Sequence, residues 1–135
     1  MAGFSDYAEG KILDHVFGAV TYTPPATLYI ALFTTTPNVE TGASGTEVTG
    51  GNYSRVAVTN NATNWPAASG GSKSNGTQIN FPTPSAGWGT VVGFGVYDAS
   101  SAGNMLGAAA LTASKVINSG DPVYFPASSL TVALD

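Results

Sequence analysis

The chain has 135 residues, enough for one domain, and only 9% of them are charged, against about 25% in an ordinary soluble domain. Its formal net charge is −4, its four basic residues are spread along the chain, and it has no cysteine, which argues against direct nucleic-acid binding and excludes disulfides and thiolate metal sites. A polar but weakly charged surface is typical of a protein that is packed against neighbours in an assembly.

The N-terminus has no basic segment ahead of an apolar stretch, and no apolar run approaches the ~20 residues that are needed to cross a bilayer. We therefore expect neither an export signal nor a membrane span. The whole chain, residues 1–135, is predicted to form a single domain.

Residues 5–17 have the periodicity of a helix. Apolar side chains recur at helical spacing, Ser5 or Asp6 can cap the N-terminus, and Gly18 can end the helix. Because a helix of this length is marginal alone, its apolar stripe should dock on another surface. We expect that surface to be the chain's own sheet, with another subunit as the alternative.

The first half of the chain then alternates between strands and long loops. Two prolines in residues 22–26 break the helix, and residues 27–35 predict a strand that is apolar on both faces. Residues 36–52 form a long loop without periodicity, and residues 53–59 resume the alternation of a strand. A second long loop covers residues 60–74. Loops of this length in a compact domain usually carry function or remain mobile.

Residues 88–98 are the predicted central strand, in which bulky and small side chains alternate. One face carries Trp88, Thr90, Val92, Phe94 and Val96. The opposite face is nearly bare because it contains glycines, and this indicates that a backbone or a bulky side chain packs very close to it. A bulged strand at a barrel corner is the alternative explanation of the glycines.

Further short strands are expected at residues 77–81, 104–111, 115–117, 123–125 and 130–134. The turn at residues 99–103 favours an antiparallel hairpin. Parallel α/β folds are excluded because the crossover helices are missing. The sequence therefore predicts an all-β protein, an antiparallel β-sandwich or small barrel of about seven to eight strands, with one N-terminal helix near residues 5–17 and a β-domain over 27–135.

The sequence offers little that could perform chemistry. His15 is the only histidine and is expected to be structural, and no nucleophile elbow is present. A carboxylate pair for sugar hydrolysis would have to come from Glu40, Glu47, Asp98 or Asp121, of which the last two are better explained as turn-forming residues. We expect no enzyme activity, no catalytic residue, no cofactor and no metal.

The two tryptophans could stack on a sugar ring, but anchoring in a core or a subunit interface is the favoured role for both Trp65 and Trp88. Because the long loops lack periodicity, a neighbouring protein is expected to order them, with Trp65 as the anchor. The competing interpretation is that Trp65 fills the open end of its own sandwich. The predicted partner contacts are Tyr22, Pro24, Pro25, Trp65 and Pro66.

Several segments together resemble a small family of tailed-bacteriophage structural proteins. The similar stretches are residues 7–18, 28–37, 47–55, 79–81, 88–90, 94–98 and 120–121 and the final strand, so the resemblance extends over nearly the whole chain. Members of this family are labelled as tail-fibre, minor capsid or virion proteins, and some resemble the cement proteins that decorate capsids. No catalytic motif belongs to the resemblance.

The resemblance implies a virion protein. The preferred expectation is a cement protein on the capsid exterior that stabilises contacts between major capsid protein subunits, since the chain lacks the repetitive shaft of a fibre. A homotrimer is implied because cement proteins commonly occupy three-fold positions. The alternative is a tail, baseplate or fibre component that contacts tail proteins or a host surface glycan.

Overall fold

The structure, a computed structural model, describes residues 2–134 and contains one helix and ten strands within that range. In chain order the elements are β1 (Gly3–Phe4), α1 (Asp6–Phe17), β2 (Thr27–Thr35), β3 (Thr46–Glu47), β4 (Val56–Thr59), β5 (Ser72–Ser74), β6 (Ile79–Asn80), β7 (Gly89–Tyr97), β8 (Met105–Ile117), β9 (Tyr124–Phe125) and β10 (Thr131–Ala133). The predicted all-β class with one N-terminal helix is confirmed.

The strands form one large sheet and two ribbons. The large sheet has the order β1-β8-β7-β2-β3, and β4 also pairs with β2, with every pairing antiparallel. The ribbons are β5 with β10 and β6 with β9. Side chains from the inner face of the large sheet and from both ribbons share one apolar core, which is the arrangement of a sandwich.

The two central strands, β2 and β7, supply most of this core. In their ladder Ile30 lies opposite Val96 and Leu32 lies opposite Phe94, and all four side chains are buried. Ala31 and Phe33, on the opposite face of β2, are buried in a separate apolar cluster, so the strand is covered on both faces, as its apolar residues of both parities predict. The burial of Phe94 on the bulky face of the central strand is also confirmed.

The glycine face of β7 is covered by aromatic rings. A Cβ atom added at Gly95 would lie 3.0 Å from Cε2 of Phe33 and 3.1 Å from Cε2 of Tyr97. These two rings stack on each other with centroids 6.4 Å apart and belong to a second apolar cluster on the outer face. The predicted close approach to the bare face is confirmed, because a Cβ atom at Gly95 would crowd the stacked pair and one at Gly93 would lie 2.7 Å from Oγ1 of Thr36.

The predicted parity of the central strand is wrong in its first half. Val91 pairs with Lys115 but Gly93 pairs with Ala110, so β8 carries an irregular bulge opposite β7. The register shift puts Val91 into the core at 1% exposure, whereas Val92 is half-buried. The extra residues of this bulge lie on β8 and not on the glycine-rich strand β7, which is a central strand of the sheet.

The helix has the predicted bounds but only part of the predicted docking. The Ser5 hydroxyl caps its N-terminus by accepting from the Ala8 amide, and Gly18 ends it. Its first turn is fixed to the sheet, because the Ser5 amide donates to the Leu106 carbonyl. Ala8 is buried and Ile12 is half-buried, whereas Leu13, Val16 and Phe17 are exposed, so the apolar stripe docks on the chain's own sheet only in the first half of the helix.

The remaining differences concern short strands. The predicted strand at 53–59 begins only at residue 56, and the segments 104–111 and 115–117 merge into β8. The long loops predicted at 36–52 and 60–74 contain β3 and β5. Two- and three-residue strands contain too few side chains for a period to be recognised, so their pairing depends on partners that are distant in sequence.

Candidate functional site

The carboxylates considered for catalysis are engaged in structural roles. Asp98 Oδ1 accepts from the Asn104 amide at 2.7 Å, and Asp121 Oδ2 accepts from the Asn118 amide at 2.8 Å. Both bonds close turns, as predicted. Glu47 forms an ion pair with an arginine. Three of the four carboxylates that the sequence offered, Glu47, Asp98 and Asp121, thus have a structural partner.

A group of acidic side chains lies at the start of the helix. Carboxylate oxygens of Asp6, Glu9 and Glu40 lie within 4.8 Å of one another. Asp6 and Glu9 are in the first turn of α1, where negative charge is favoured by the helix dipole. The main chain joins the two segments as well, because the Asp6 amide donates to the Glu40 carbonyl.

His15 has the structural role that the sequence predicts. Its Nδ1 lies 3.3 Å from both the Val20 carbonyl oxygen and the Tyr22 amide nitrogen. The imidazole thus fastens the segment that follows the helix onto the last helical turn. Val20 is held beside the exposed end of α1 as a result.

Arg55 is the centre of a polar network beside the outer aromatic cluster. Its Nε and Nη2 donate to the two carboxylate oxygens of Glu47 at 2.9 Å, and its Nη1 donates to the carbonyls of Ala99 and Ala102. The guanidinium also stacks on Tyr97, with Cζ 3.7 Å from the ring centroid. A single side chain therefore connects β3, β7 and the β7–β8 turn.

Tyr53 completes this network. Its hydroxyl accepts from the Leu32 amide at 3.0 Å and donates to Glu47 at 2.9 Å. Burial raises the pKa of Tyr53 well above its ordinary value, and burial also raises the pKa of Tyr97. Burial alone would lower the pKa of Arg55, but the hydrogen bonds and charge of Glu47 outweigh it and raise that pKa. All of these shifts favour the network as it stands, with neutral tyrosines and a charged arginine.

The second half of the helix presents an apolar surface to solvent. We define the helix-end patch as Leu13, Val16 and Phe17, which share one side of the helix, together with Val20, whose amide donates to the Asp14 carbonyl of the last helical turns. Their exposures are 56%, 62%, 83% and 58%. Scattered apolar residues on a surface are normal, whereas a contiguous apolar group marks an interaction site. The sequence did not predict that these residues are exposed, because their periodicity is equally typical of a helix that docks on its own sheet.

The five predicted contact residues lie in two separate places. Tyr22 and Pro25 are half-buried and Pro24 is exposed, and all three belong to the segment that follows the helix. Pro66 is exposed on the other loop. Contact of these residues with a partner stays a prediction.

Trp65 belongs to the main apolar core and is only 5% exposed. The loop holds it there through a turn, in which the Asn61 side chain accepts from the amides of Thr63 and Asn64 and the Asn61 carbonyl accepts from the Trp65 amide. The structure therefore supports the competing interpretation that Trp65 fills its own sandwich. The Asn61 turn is a sequence signal that could have indicated this packing.

Trp88 is buried as well, at 4% exposure, and its Nε1 donates to the Gly51 carbonyl at 2.8 Å. With both tryptophans buried, neither offers its ring to a sugar. The favoured role of Trp88 as a core anchor is confirmed.

Comparisons with known proteins agree with the resemblance drawn from the sequence. A family model described as "Podophage GP4 fiber I protein gp80" matches residues 3–133. No curated protein matches the chain. Within residues 2–134 no helix is long and apolar enough to cross a membrane.

Proposed function

Because the chain belongs to the podophage GP4 fiber I protein gp80 family and is thus a structural protein of the tailed-phage virion, we propose that it is a fibre component of the particle. The family match over residues 3–133 is the observation that carries this proposal. A role as capsid cement, which was the preferred expectation from the sequence, has less support, since the family is described by a fibre protein.

The helix-end patch supports an assembly role. Leu13, Val16 and Phe17 are exposed on the second half of α1, and burial of such side chains stabilises an interface by roughly 25 cal/mol per Å² of apolar surface. A fibre is built from repeated contacts between subunits, and a projecting apolar helix end is suited to such a contact. The weakly charged surface, with 9% charged residues in the chain, lowers the cost of close packing.

The partner proposed for the patch is a second copy of the chain. A homotrimer stays a prediction that rests on the resemblance to cement proteins, and a baseplate or other tail protein is the alternative occupant. The major capsid protein would be the partner only in the cement hypothesis. Sedimentation of the isolated chain separates self-association from binding to a different protein.

Localisation in the particle tests the proposed function. Cryo-EM of phage particles, or immunogold labelling with an antibody against the chain, should locate the protein on fibres that extend from the tail. Density at regular positions on the capsid lattice would contradict the proposal and return the cement hypothesis. Particles of a deletion mutant provide the control, because the assigned density should be absent from them.

A further inference from the structure

The sequence Asn-Gly occurs once in the chain, at Asn75 and Gly76. An asparagine that precedes glycine is prone to deamidation, because glycine has no side chain to hinder the approach of its backbone nitrogen to the neighbouring side-chain amide. Asn75 directly follows β5 and is only 1% exposed, so the fold buries this chemically labile sequence. The assembly role proposed above makes no use of it.

Both ends of the Asn75 side-chain amide are hydrogen-bonded. Its Nδ2 donates to the Thr77 carbonyl at 2.8 Å and to the Pro126 carbonyl at 2.9 Å, and its Oδ1 accepts from the Leu130 amide at 2.9 Å. Its main-chain carbonyl accepts from the Ser128 amide at 2.7 Å. We call these contacts the Asn75 clamp. Because the clamp uses two donors and an acceptor of one side chain, a carboxylate cannot replace the amide in it.

Gly76 is constrained by the second long loop. A Cβ atom at this position would overlap the Thr63 carbonyl oxygen and lie 2.7 Å from Cγ of Pro66. The Gly76 amide also donates to the Asn64 carbonyl at 2.7 Å. The packing therefore requires glycine here as strictly as the clamp requires asparagine before it, which explains why the fold contains a labile pair.

The same contacts keep the two reacting groups from meeting. Deamidation begins when the Gly76 amide loses its proton and its nitrogen attacks Cγ of Asn75, which forms a succinimide ring and releases ammonia. Water then opens the ring and leaves aspartate or isoaspartate. In the folded chain the Gly76 N–H is bonded to Asn64 and the clamp fixes the Asn75 side chain, so neither group can turn toward the other.

We propose that Asn75 is a deamidation site that the fold keeps closed, and that the reaction makes opening of this region irreversible. Once the clamp opens, one water is consumed, one ammonia is released, and the side-chain amino group is replaced by a carboxylate oxygen. The product lacks both Nδ2 donors and carries a negative charge that would face the Thr77 and Pro126 carbonyls in a buried position. The clamp cannot form again around such a group. The site lies outside the helix-end patch, so it does not depend on the fibre assignment.

Peptide mass spectrometry of the full chain tests the site. The chain is incubated at pH 8.5, either folded or in concentrated guanidinium chloride. Conversion of Asn75 should be at least about a hundredfold slower in the folded chain, since a closed site reacts only in the small open population. Asn118, which is exposed and precedes a serine, is the internal control, and its rate should differ much less between the two conditions. Equal rates at Asn75 in the two conditions would overturn the proposal.

Refolding yields test the consequence. After each interval in denaturant the chain is returned to native buffer, and the fraction that fails to regain its near-UV circular dichroism should match the fraction modified at Asn75. Samples held in denaturant at pH 5, where the Gly76 amide rarely loses its proton, should refold fully. Recovery of the native signal by chains that are modified at Asn75 would show that the reaction does not block refolding.

Two variants complete the test. Asn75→Asp, which has the side chain of one product, should melt far below the wild-type chain or fail to fold. Asn118→Asp makes the same change at an exposed residue and should melt within a degree or two of the wild type. An Asn75→Asp chain that melts like the wild type would overturn the proposal, because the clamp would then tolerate the product.

Discussion

The central strands and the end of the helix use apolar residues in opposite ways. On β2 and β7, Ile30 is fully buried and Phe94 is 6% exposed, because sheet, ribbons and loops cover both faces. On α1, Phe17 is 83% exposed and Val16 is 62% exposed, although their spacing is as regular as that of any core helix. The difference shows that periodicity identifies an apolar face but not what covers it. In the sheet the fold itself covers that face, and at the helix end we infer that a neighbouring subunit does.

The largest expected effect on stability appears when a phenylalanine is truncated to alanine in the central strands, and the same truncation at the helix end is its comparison. Phe94→Ala should lower the free energy of unfolding by about 3–5 kcal/mol, because the ring packs against Phe125 in the core with centroids 5.6 Å apart. Phe17→Ala should change it by less than about 0.5 kcal/mol, as exposed substitutions do. Reversible urea denaturation of both variants measures this, and comparable losses would remove the distinction between the regions.

A smaller loss is expected when the Arg55 network is broken. The Arg55 side chain is 7% exposed and that of Glu47 is 26% exposed, so Arg55→Met should cost about 2–3 kcal/mol, somewhat less than for a fully buried pair. Lys115→Met, which removes an exposed charge, is the matched control and should be neutral. The double variant Arg55→Met, Glu47→Leu should recover part of the loss in chemical denaturation, because no unpaired carboxylate remains. A double variant less stable than Arg55→Met alone would argue against this explanation.

These contrasts show what the sequence can predict. Strand β2 and the capped helix can be predicted from local signals. The strand is indicated by adjacent apolar residues of both parities, and the helix is indicated by Ser5 and Gly18 at its ends. The register shift between Val91 and Gly93 does not follow from local signals, because it depends on which residues of β8 lie opposite these two. Burial of Trp65 was likewise out of reach of periodicity, because it depends on a loop folding back onto the sheet.

The Arg55–Glu47 network lay beyond sequence reasoning for the same reason. Its members come from β3, from the approach to β4 and from the β7–β8 turn, which meet only in the folded chain. In the helix, the spacing of the apolar residues predicts that they form a stripe, but it does not predict that the second half of this stripe is exposed to solvent. The exposure of the stripe can be recognised only when the position of the helix on the folded sheet is known.

A pH titration should produce a smaller effect on the sheet region. The pKa of Tyr53 in the folded chain is raised above the ordinary 10.0. Below pH 10 the contribution of the neutral Tyr53 side chain to the stability of the fold is therefore fully present. Above pH 10 the unfolded chain loses the proton first, and stability falls as the pH rises. Tyr53→Phe should cost about 1–2 kcal/mol at neutral pH, because the Leu32 amide loses its acceptor.

The same variant should also flatten the alkaline decline in melting temperature, which differential scanning calorimetry from pH 7 to pH 11 can follow. A slope identical to that of the wild-type chain would show that Tyr53 does not contribute to it. Tyr53→Phe retains the ring, whose centroid lies 5.3 Å from that of Trp88, so the packing of the core serves as an internal control.

The most direct test of the account asks whether the helix end serves assembly and not folding. Val16→Ser combined with Phe17→Ser should leave the melting temperature of the isolated domain within a degree or two of the wild-type value, because both side chains are exposed. In sedimentation velocity the wild-type chain should associate at micromolar concentration and the double variant should remain monomeric. Val116→Ser, at a residue that is 58% exposed on β8, is the control and should associate like the wild type. A double variant that still associates, or that melts many degrees lower, would contradict the assignment of this surface to assembly.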